Sequence, residues 1–191
     1  MKKVSIDHKR YILDDVFKVE EAYLRYEKFN GEMSNVVRRI CLERGDTVAA
    51  IVVNQITNKI LLISQFRYPT YKTGQGWSIE TITGIIDPGE SLEEAAGREV
   101  QEVTGLTILS LEHITSFYPS PGGSSERVHL YYVEVTGENV WHNLILEGED
   151  IKALEFTLEE ALGKIRSGEI MDAKTIIGIY WLENQLMKKT T

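Results

Sequence analysis

Two carboxylates on one short amphipathic stretch give the first chemical signal. In "GIIDPGESLEEAAGREVQEVTGL", Gly84 to Leu106, Ser91 and Glu94 form a capping box and Gly105 is a terminating residue. This predicts a helix from about Leu92 to Thr104. At about 100° per residue, with Leu92 at zero, Ala95 falls at about −60°, Ala96 at about +40° and Val103 at about +20°. These residues define a buried stripe. Glu99 falls inside it, at about −20°, and Glu102 lies at its border, at about −80°, beside Glu99 by the i, i+3 rule. A carboxylate in an apolar stripe is costly unless it is paired or bound to a metal. One account is a salt bridge, for instance to an arginine from a neighbouring strand. The other is a divalent-cation site built by Glu99 and Glu102 with help from the preceding loop. Mg²⁺ suits the second: few protein carboxylates, several waters, and the rest of the shell from substrate phosphates.

The elements that must hold this helix are mostly strands. Ahead of Gly74, "YILDDVFKVEEAYLRYEKF" alternates as a hairpin does, and "VVRRICLER", "TVAAIVVN" and "KILLISQFR" are short runs rich in Val and Ile. Pro and Gly concentrate at Gly74 to Gly76, at Asp87-Pro88-Gly89 and from Pro119 to Gly123, which read as loops. "TILSLEHITSFYPS", "ERVHLYYVEVT" and "IKALEFT" continue the strand pattern. Two helices follow. Thr157 and Glu160 make a second capping box, and Asp172 can cap "AKTIIGIYWLENQLMKK". The expected fold is α+β, an α/β/α sandwich with a mixed sheet.

Composition narrows the function classes. The chain has 191 residues, 42% apolar and 26% charged, which suits one soluble globular domain with room for a small extension. A net charge of −8 argues against a broad grip on nucleic acid. A small anionic ligand would need clustered arginines or a metal. No apolar run approaches the roughly 18 residues of a spanning helix, and "MKKVSIDHKR" has no apolar stretch behind its basic start. A cytoplasmic location without membrane contact is therefore the expectation. Cys41 is the single cysteine, so no internal disulfide and no cysteine-zinc cluster are possible. His8, His113, His129 and His142 show no metal-ligand spacing.

The stretch from Gly84 to Leu106 resembles the signature of the Nudix hydrolases: Gly, five residues, Glu, seven residues, Arg-Glu, an aliphatic, any, Glu-Glu, any, Gly, aliphatic. Gly84, Glu90, Arg98, Glu99, Val100, Glu102, Gly105 and Leu106 stand at the right intervals. One position departs, because Val103 replaces the second Glu of the pair. "SPGGSSERVHLYY" is similar to a segment of the ADP-ribose and nucleoside-diphosphate-sugar branch. "EGEDIKALEFTLEEALGKIRSGEIMDAKTIIGIYWL" resembles the C-terminal end of its GDP-mannose pyrophosphatase type. "LISQFRYPT" and "WSIETITG" fit the approach to the signature, with Ile-Thr-Gly for the usual Pro-Ala-Gly.

The resemblance implies a Nudix domain over residues 46–191, an antiparallel strand-rich extension over 1–45 that helps form a homodimer, and water-driven cleavage of a nucleoside diphosphate sugar or ADP-ribose with Mg²⁺ or Mn²⁺. By position it makes Glu99, Glu102 and the carbonyl of Thr83 metal ligands, and Arg98 a group that orients a signature glutamate such as Glu90. It puts a general base on the late loop, Glu149 ahead of Glu147. Arg39, Arg67, Glu80 and Glu126 become substrate-binding residues or salt-bridge partners. Tyr68, Trp77 and Tyr118 are candidates to stack on a base. Val103 opens an alternative, a nucleotide-sugar binder without catalysis. A purely structural interaction module would leave Glu99 and the Gly-rich loops unexplained.

Overall fold

The structure, a computed structural model, describes residues 1–138, 144–146 and 149–190, with side chains for all of these except 144–146, 149, 189 and 190. It forms two compact units, Met1–Gly45 with Tyr118–Arg127, and Asp46–Phe117 with Val128–Thr191.

The first unit is a three-stranded antiparallel sheet of β1 (Val4–Asp14), β2 (Lys18–Tyr26) and β3 (Val37–Glu43) in that order. Its alternating sequence forms the expected hairpin, with Arg10 opposite Glu21. The buried Glu21 carboxylate accepts from Arg10 Nε at 2.8 Å and from Arg38 Nε. Hydrogen bonds from Arg38 and Arg10 hold this carboxyl below the usual range. The segment Tyr118–Arg127 fastens to β3, where the Leu42 N–H donates to the Gly123 carbonyl at 2.8 Å. Cys41 is half-buried on β3, and burial pushes its thiol up. Val4, Ile6, Tyr11 and Leu13 on β1 stay exposed.

The second unit is the α/β/α sandwich. Its sheet contains β4 (Thr47–Asn54), β5 (Lys59–Phe66), β6 (Trp77–Glu80), β7 (Ile82–Ile85), β8 (Thr107–Phe117), β9 (Val128–Thr136), β10 (Leu144–Leu146) and β11 (Glu149–Phe156). The order is β10-β11-β5-β4-β9-β8, with β6 on β5 and β7 on β4. The sheet is mixed because β4 and β9 run parallel. Helices α1 (Tyr68–Tyr71), α2 (Leu92–Thr104), α3 (Leu158–Ser167) and α4 (Ala173–Thr190) complete the unit. The short α1, opened by Pro69, and β10 go beyond the sequence-based expectation.

Strand β4 shows why both faces need helices. Val48, Ala50 and Val52 pack with Ala95, Ala96, Val100 and Val103 of α2. Ala49, Ile51 and Val53 pack with Ala161 and Leu162 of α3 and Ile179 and Leu182 of α4. A strand puts successive side chains on opposite faces, so an unbroken apolar run requires cover on both. Each fully buried Val, Leu or Ile contributes about 1.5–3 kcal/mol. Helix α4 approaches closely because Gly178 has no side chain: a Cβ there would meet Ile51 Cγ1 at 2.0 Å.

Candidate active site

The α2–β7 junction is built from local signals. Ser91 Oγ accepts from the Glu94 N–H at 3.2 Å, and Glu94 Oε2 accepts from the Ser91 N–H at 2.9 Å. This reciprocal cap starts α2, and Gly105, at φ 65°, ends it. The buried stripe is the expected Ala95, Ala96 and Val103 with Val100 and Thr104 added.

Glu99 leaves that stripe toward β7, where Gly84 lies opposite Val48. A Cβ on Gly84 would stand 1.7 Å from Glu99 Oε1, so only glycine admits the carboxylate there. The Glu99 side chain is 16% exposed. Its Oε1 accepts from Arg98 Nη1 at 2.8 Å, while Oε2 accepts no hydrogen bond among the described residues. Burial pushes this carboxyl above the usual range. Arg98 opposes the shift and the charges of Glu102 and Glu90 reinforce it. The salt-bridge account thus holds for one oxygen, with the partner corrected: the cation is the adjacent residue of the same helix, not an arginine on a neighbouring strand.

Arg98 also ties the signature loop to α2. Its Nε and Nη2 grip Glu90 Oε1 and Oε2, both at 2.9 Å, and Nη2 donates to the Ile85 carbonyl at 3.0 Å. Glu90 Oε2 also accepts from the Asp87 N–H at 3.1 Å. The hydrogen bonds to Glu90 and Glu99 keep the guanidinium charged, and Glu90 is held below the usual carboxylate range by the same contact. Glu102, one turn on, is exposed and lies 3.7 Å from Arg98 Nη1.

Among the described residues no three His, Cys, Asp or Glu side chains converge as a metal cage. Val103 is packed into the core and offers no ligand. What remains is one half-buried carboxylate with an open oxygen, a second at the surface, and the backbone of Thr83 next to Gly84 on β7. That donor set fits a hard dication that keeps most of its waters.

A second carboxylate region lies at the end of β6. Glu80 is 3% exposed and receives the Arg67 fork: Nε to Oε1 and Nη2 to Oε2, both at 2.9 Å. Lys174 Nζ adds a contact at 3.5 Å. Burial would push this carboxyl up, but the hydrogen bond from Arg67 and the charges of Lys174 and Arg67 leave it below the usual range. A pocket of about 330 Å³ opens beside it, lined in part by Gln75, Trp77, Glu80 and Asp172.

The sequence reading did not find Lys174 and Thr175 here. Asp172 caps α4, as its position suggests, accepting from the Thr175 N–H at 3.0 Å and hydroxyl at 2.6 Å. Thr175 Oγ1 in turn accepts from the Thr81 N–H at 2.7 Å, which fastens α4 to the strand leading into Gly84. The "MDAKT" string shows the cap, and nothing local in it shows the strand that the cap reaches.

The other expected site residues belong to several elements. Arg39 lies on β3 of the first unit, where Nη1 donates to the Arg38 carbonyl at 2.9 Å. Glu126 belongs to the same unit, 3.7 Å from Arg44. Glu149 opens β11 opposite Leu146, with its side chain outside the described atoms; Glu147 lies outside the described residues. Tyr68, Trp77 and Tyr118 are exposed, and Trp77 meets the Phe66 ring edge-on at 5.8 Å.

Known proteins resemble this chain along most of its length. A family model described as NUDIX domain matches residues 43–175. The ADP-ribose pyrophosphatase of Escherichia coli (strain K12) is 35% identical over 170 residues, 87% of this chain and 81% of the relative. The ADP-ribose pyrophosphatase of Bacillus subtilis (strain 168) is 34% identical over 182 residues, 94% of each chain. The GDP-mannose pyrophosphatase of Yersinia enterocolitica is 34% identical over 151 residues, 78% of each. A crystal structure described as an ADP compounds hydrolase superposes with a TM-score of 0.73, covering 98% of this chain and 96% of its own at 20% identity, which bears on the fold alone.

Proposed function

The chain belongs to the NUDIX domain family, and we propose that it cleaves ADP-ribose or another nucleoside diphosphate sugar with Mg²⁺ or Mn²⁺. It is a hydrolase of pyrophosphate bonds. The products of the proposed reaction are a nucleoside monophosphate and a sugar phosphate. The observation that carries this reading is the Glu99 carboxylate, seated where only Gly84 leaves room and with one oxygen open.

Glu99, Glu102 and the Thr83 carbonyl would hold the metal. Bound there, the dication supplies neutralising charge to the pyrophosphate oxygens and lowers the pKa of water. Arg98 holds Glu90 and Glu99 in place and is a positioning residue. Arg39 and the Nη1 end of Arg67 are the proposed donors to phosphate, while the Nε–Nη2 fork of Arg67 stays on Glu80, which fixes its direction. Glu126 completes the substrate-binding set. In the proposed step the water oxygen bonds to one phosphorus, the bridging P–O bond breaks, and the bridging oxygen leaves with the other phosphoryl group. Glu149 takes the water proton.

The strand-rich first unit is the proposed dimerisation element, supported by the exposed Val4, Ile6, Tyr11 and Leu13 on β1. The proposed site of action is the cytoplasm; no described helix is long and apolar enough to cross a membrane. The non-catalytic alternative raised by Val103 gains nothing from relatives named as pyrophosphatases. The test is release of nucleoside monophosphate from ADP-ribose, GDP-mannose and UDP-glucose with Mg²⁺ or Mn²⁺. Turnover of at least one substrate is expected. Binding without turnover across the panel would reinstate the alternative.

A further inference from the structure

A second polar constellation lies on β8 and β9, on the same α2-facing side of the sheet as the Glu99 slot: His129 and Gly84 pair with Val48 from opposite sides. Strand β8 carries an irregularity between His113 and Thr115 in its pairing with β9. Bulges at sheet edges re-aim side chains. Here the bulge turns His113 and Ser116, three residues apart, toward the face of β9 that bears His129 and Tyr131. Ile114 and Phe117 go to the other face, against the α3–α4 core. Ser116 Oγ lies 2.7 Å from His129 Nδ1 and 3.0 Å from His113 Nε2, so one exposed hydroxyl stands between two imidazole nitrogens. His113 also meets the Tyr131 ring edge-on at 5.2 Å.

The far side of His129 faces a carboxylate. Nε2 lies 3.5 Å from Asp46 Oδ2, and a carboxylate only accepts. A proton on Nε2 would face Asp46 and leave the Nδ1 lone pair toward Ser116. The His129 side chain is 9% exposed. Its Nε2 and the Tyr131 hydroxyl are the buried side-chain polar atoms without a hydrogen bond among the described residues, and they sit two residues apart on one strand. Burial, with the charge of Glu93, pushes the Tyr131 hydroxyl up to about 12, so it remains a donor.

We propose that His113 Nε2 and His129 Nδ1 form a chelate for a borderline divalent transition ion, with Zn²⁺ as its probe, separate from the hard-cation site at Glu99. Two imidazoles suit zinc and are poor ligands for Mg²⁺. The Ser116 hydroxyl marks the position between the nitrogens, and rotation about its χ1 makes room for the ion. Waters complete a tetrahedron. Asp46 stands where the outer carboxylate of a carboxylate–histidine–zinc arrangement stands. An ion on Nδ1 strengthens the Nε2–H as a donor and draws Asp46 onto it, which satisfies one of the two orphan atoms. The predicted effect of zinc is to cross-link the edge strand to its neighbour.

The test uses Glu99→Gln protein, in which the first site is disabled, stripped with chelator and titrated with zinc by calorimetry while unfolding temperature is followed. One zinc per chain and a raised unfolding temperature are expected. His113→Ala, which changes an exposed side chain, should weaken zinc binding at least roughly 10-fold, and Asp46→Asn by roughly 10- to 100-fold. Ser116→Ala should retain binding. Equal zinc affinity with and without His113, or no zinc uptake by the Glu99→Gln protein, would overturn the proposal. Neither result bears on pyrophosphate hydrolysis by the unaltered chain.

Discussion

Glu80 and Glu99 are both carboxylates withdrawn from water in the same unit, and their surroundings treat them oppositely. Glu80 is gripped at both oxygens by Arg67, with Lys174 close by, and its carboxyl is held below the usual range. Glu99 gives one oxygen to Arg98, which is shared with Glu90, and burial leaves its carboxyl above the usual range. The contrast teaches that burial alone does not identify a chemical site. A carboxylate whose oxygens are both committed serves the fold first; one kept half-committed in a slot shaped by glycine is available to a cation.

The largest expected effect breaks the Glu99 side of this contrast. Glu99→Gln should lower kcat/KM by about 100-fold or more, because several kcal/mol of charge stabilisation are lost. Gly84→Ala should match that loss by displacing the same carboxylate while Glu99 itself stays in the chain. Steady-state assays on the two variants decide it. A fully active Gly84→Ala would show that the slot is irrelevant.

Glu80→Gln breaks the other side and should appear as stability. Removing one partner of a buried ion pair costs about 3–5 kcal/mol. Arg67 is partly exposed, which reduces this to about 2–3 kcal/mol in urea unfolding. Val103→Glu sharpens the comparison by adding the carboxylate that the signature usually has. Val103 is buried, so the metal-free variant should lose about 1–3 kcal/mol. Mg²⁺ should restore more stability to it than to the wild type, with a higher rate, in thermal-shift and turnover assays. A variant indifferent to Mg²⁺ would remove the metal from this account.

The smallest effect is in pH. A lowered folded-state pKa at Glu80 contributes stability above the unfolded value near 4.5, and this is lost as pH falls through the folded value. A raised pKa at Glu99 works in reverse: metal-free stability falls as pH rises through it. Urea unfolding across pH should therefore show less acid sensitivity in Glu80→Gln than in the wild type. Glu99→Gln should be more stable than the wild type near neutrality. Parallel curves for all three proteins would contradict both assignments.

What could be read in the sequence was local or came from the signature. Ser91 with Glu94, Thr157 with Glu160, Gly105 and the unbroken apolar run of β4 each act within a few residues, so α2, α3 and the two-sided sheet were legible. The position of Glu99 on α2 followed from helical periodicity. Its partner did not, because Arg98 reaches Glu99 only by folding back between helix and loop. Arg67 and Glu80 were both candidates, yet their mutual grip depends on the pairing of β5 with β6. Thr175 meets Thr81 across 94 positions, and no window-based pattern encodes that distance. The bulge in β8 is a register event, which spacing alone cannot register as a meeting of His113 and His129.

The Thr175–Thr81 bond has a temporal consequence. During synthesis the strands and α2 leave the ribosome before α4, which follows them in chain order. Until then the Thr81 amide lacks its acceptor and Glu80 lacks Lys174, so the strand leading into Gly84 stands without its distant anchor. The two carboxylate regions are thus completed at different times, Glu99 together with α2 and Glu80 only once α4 has docked.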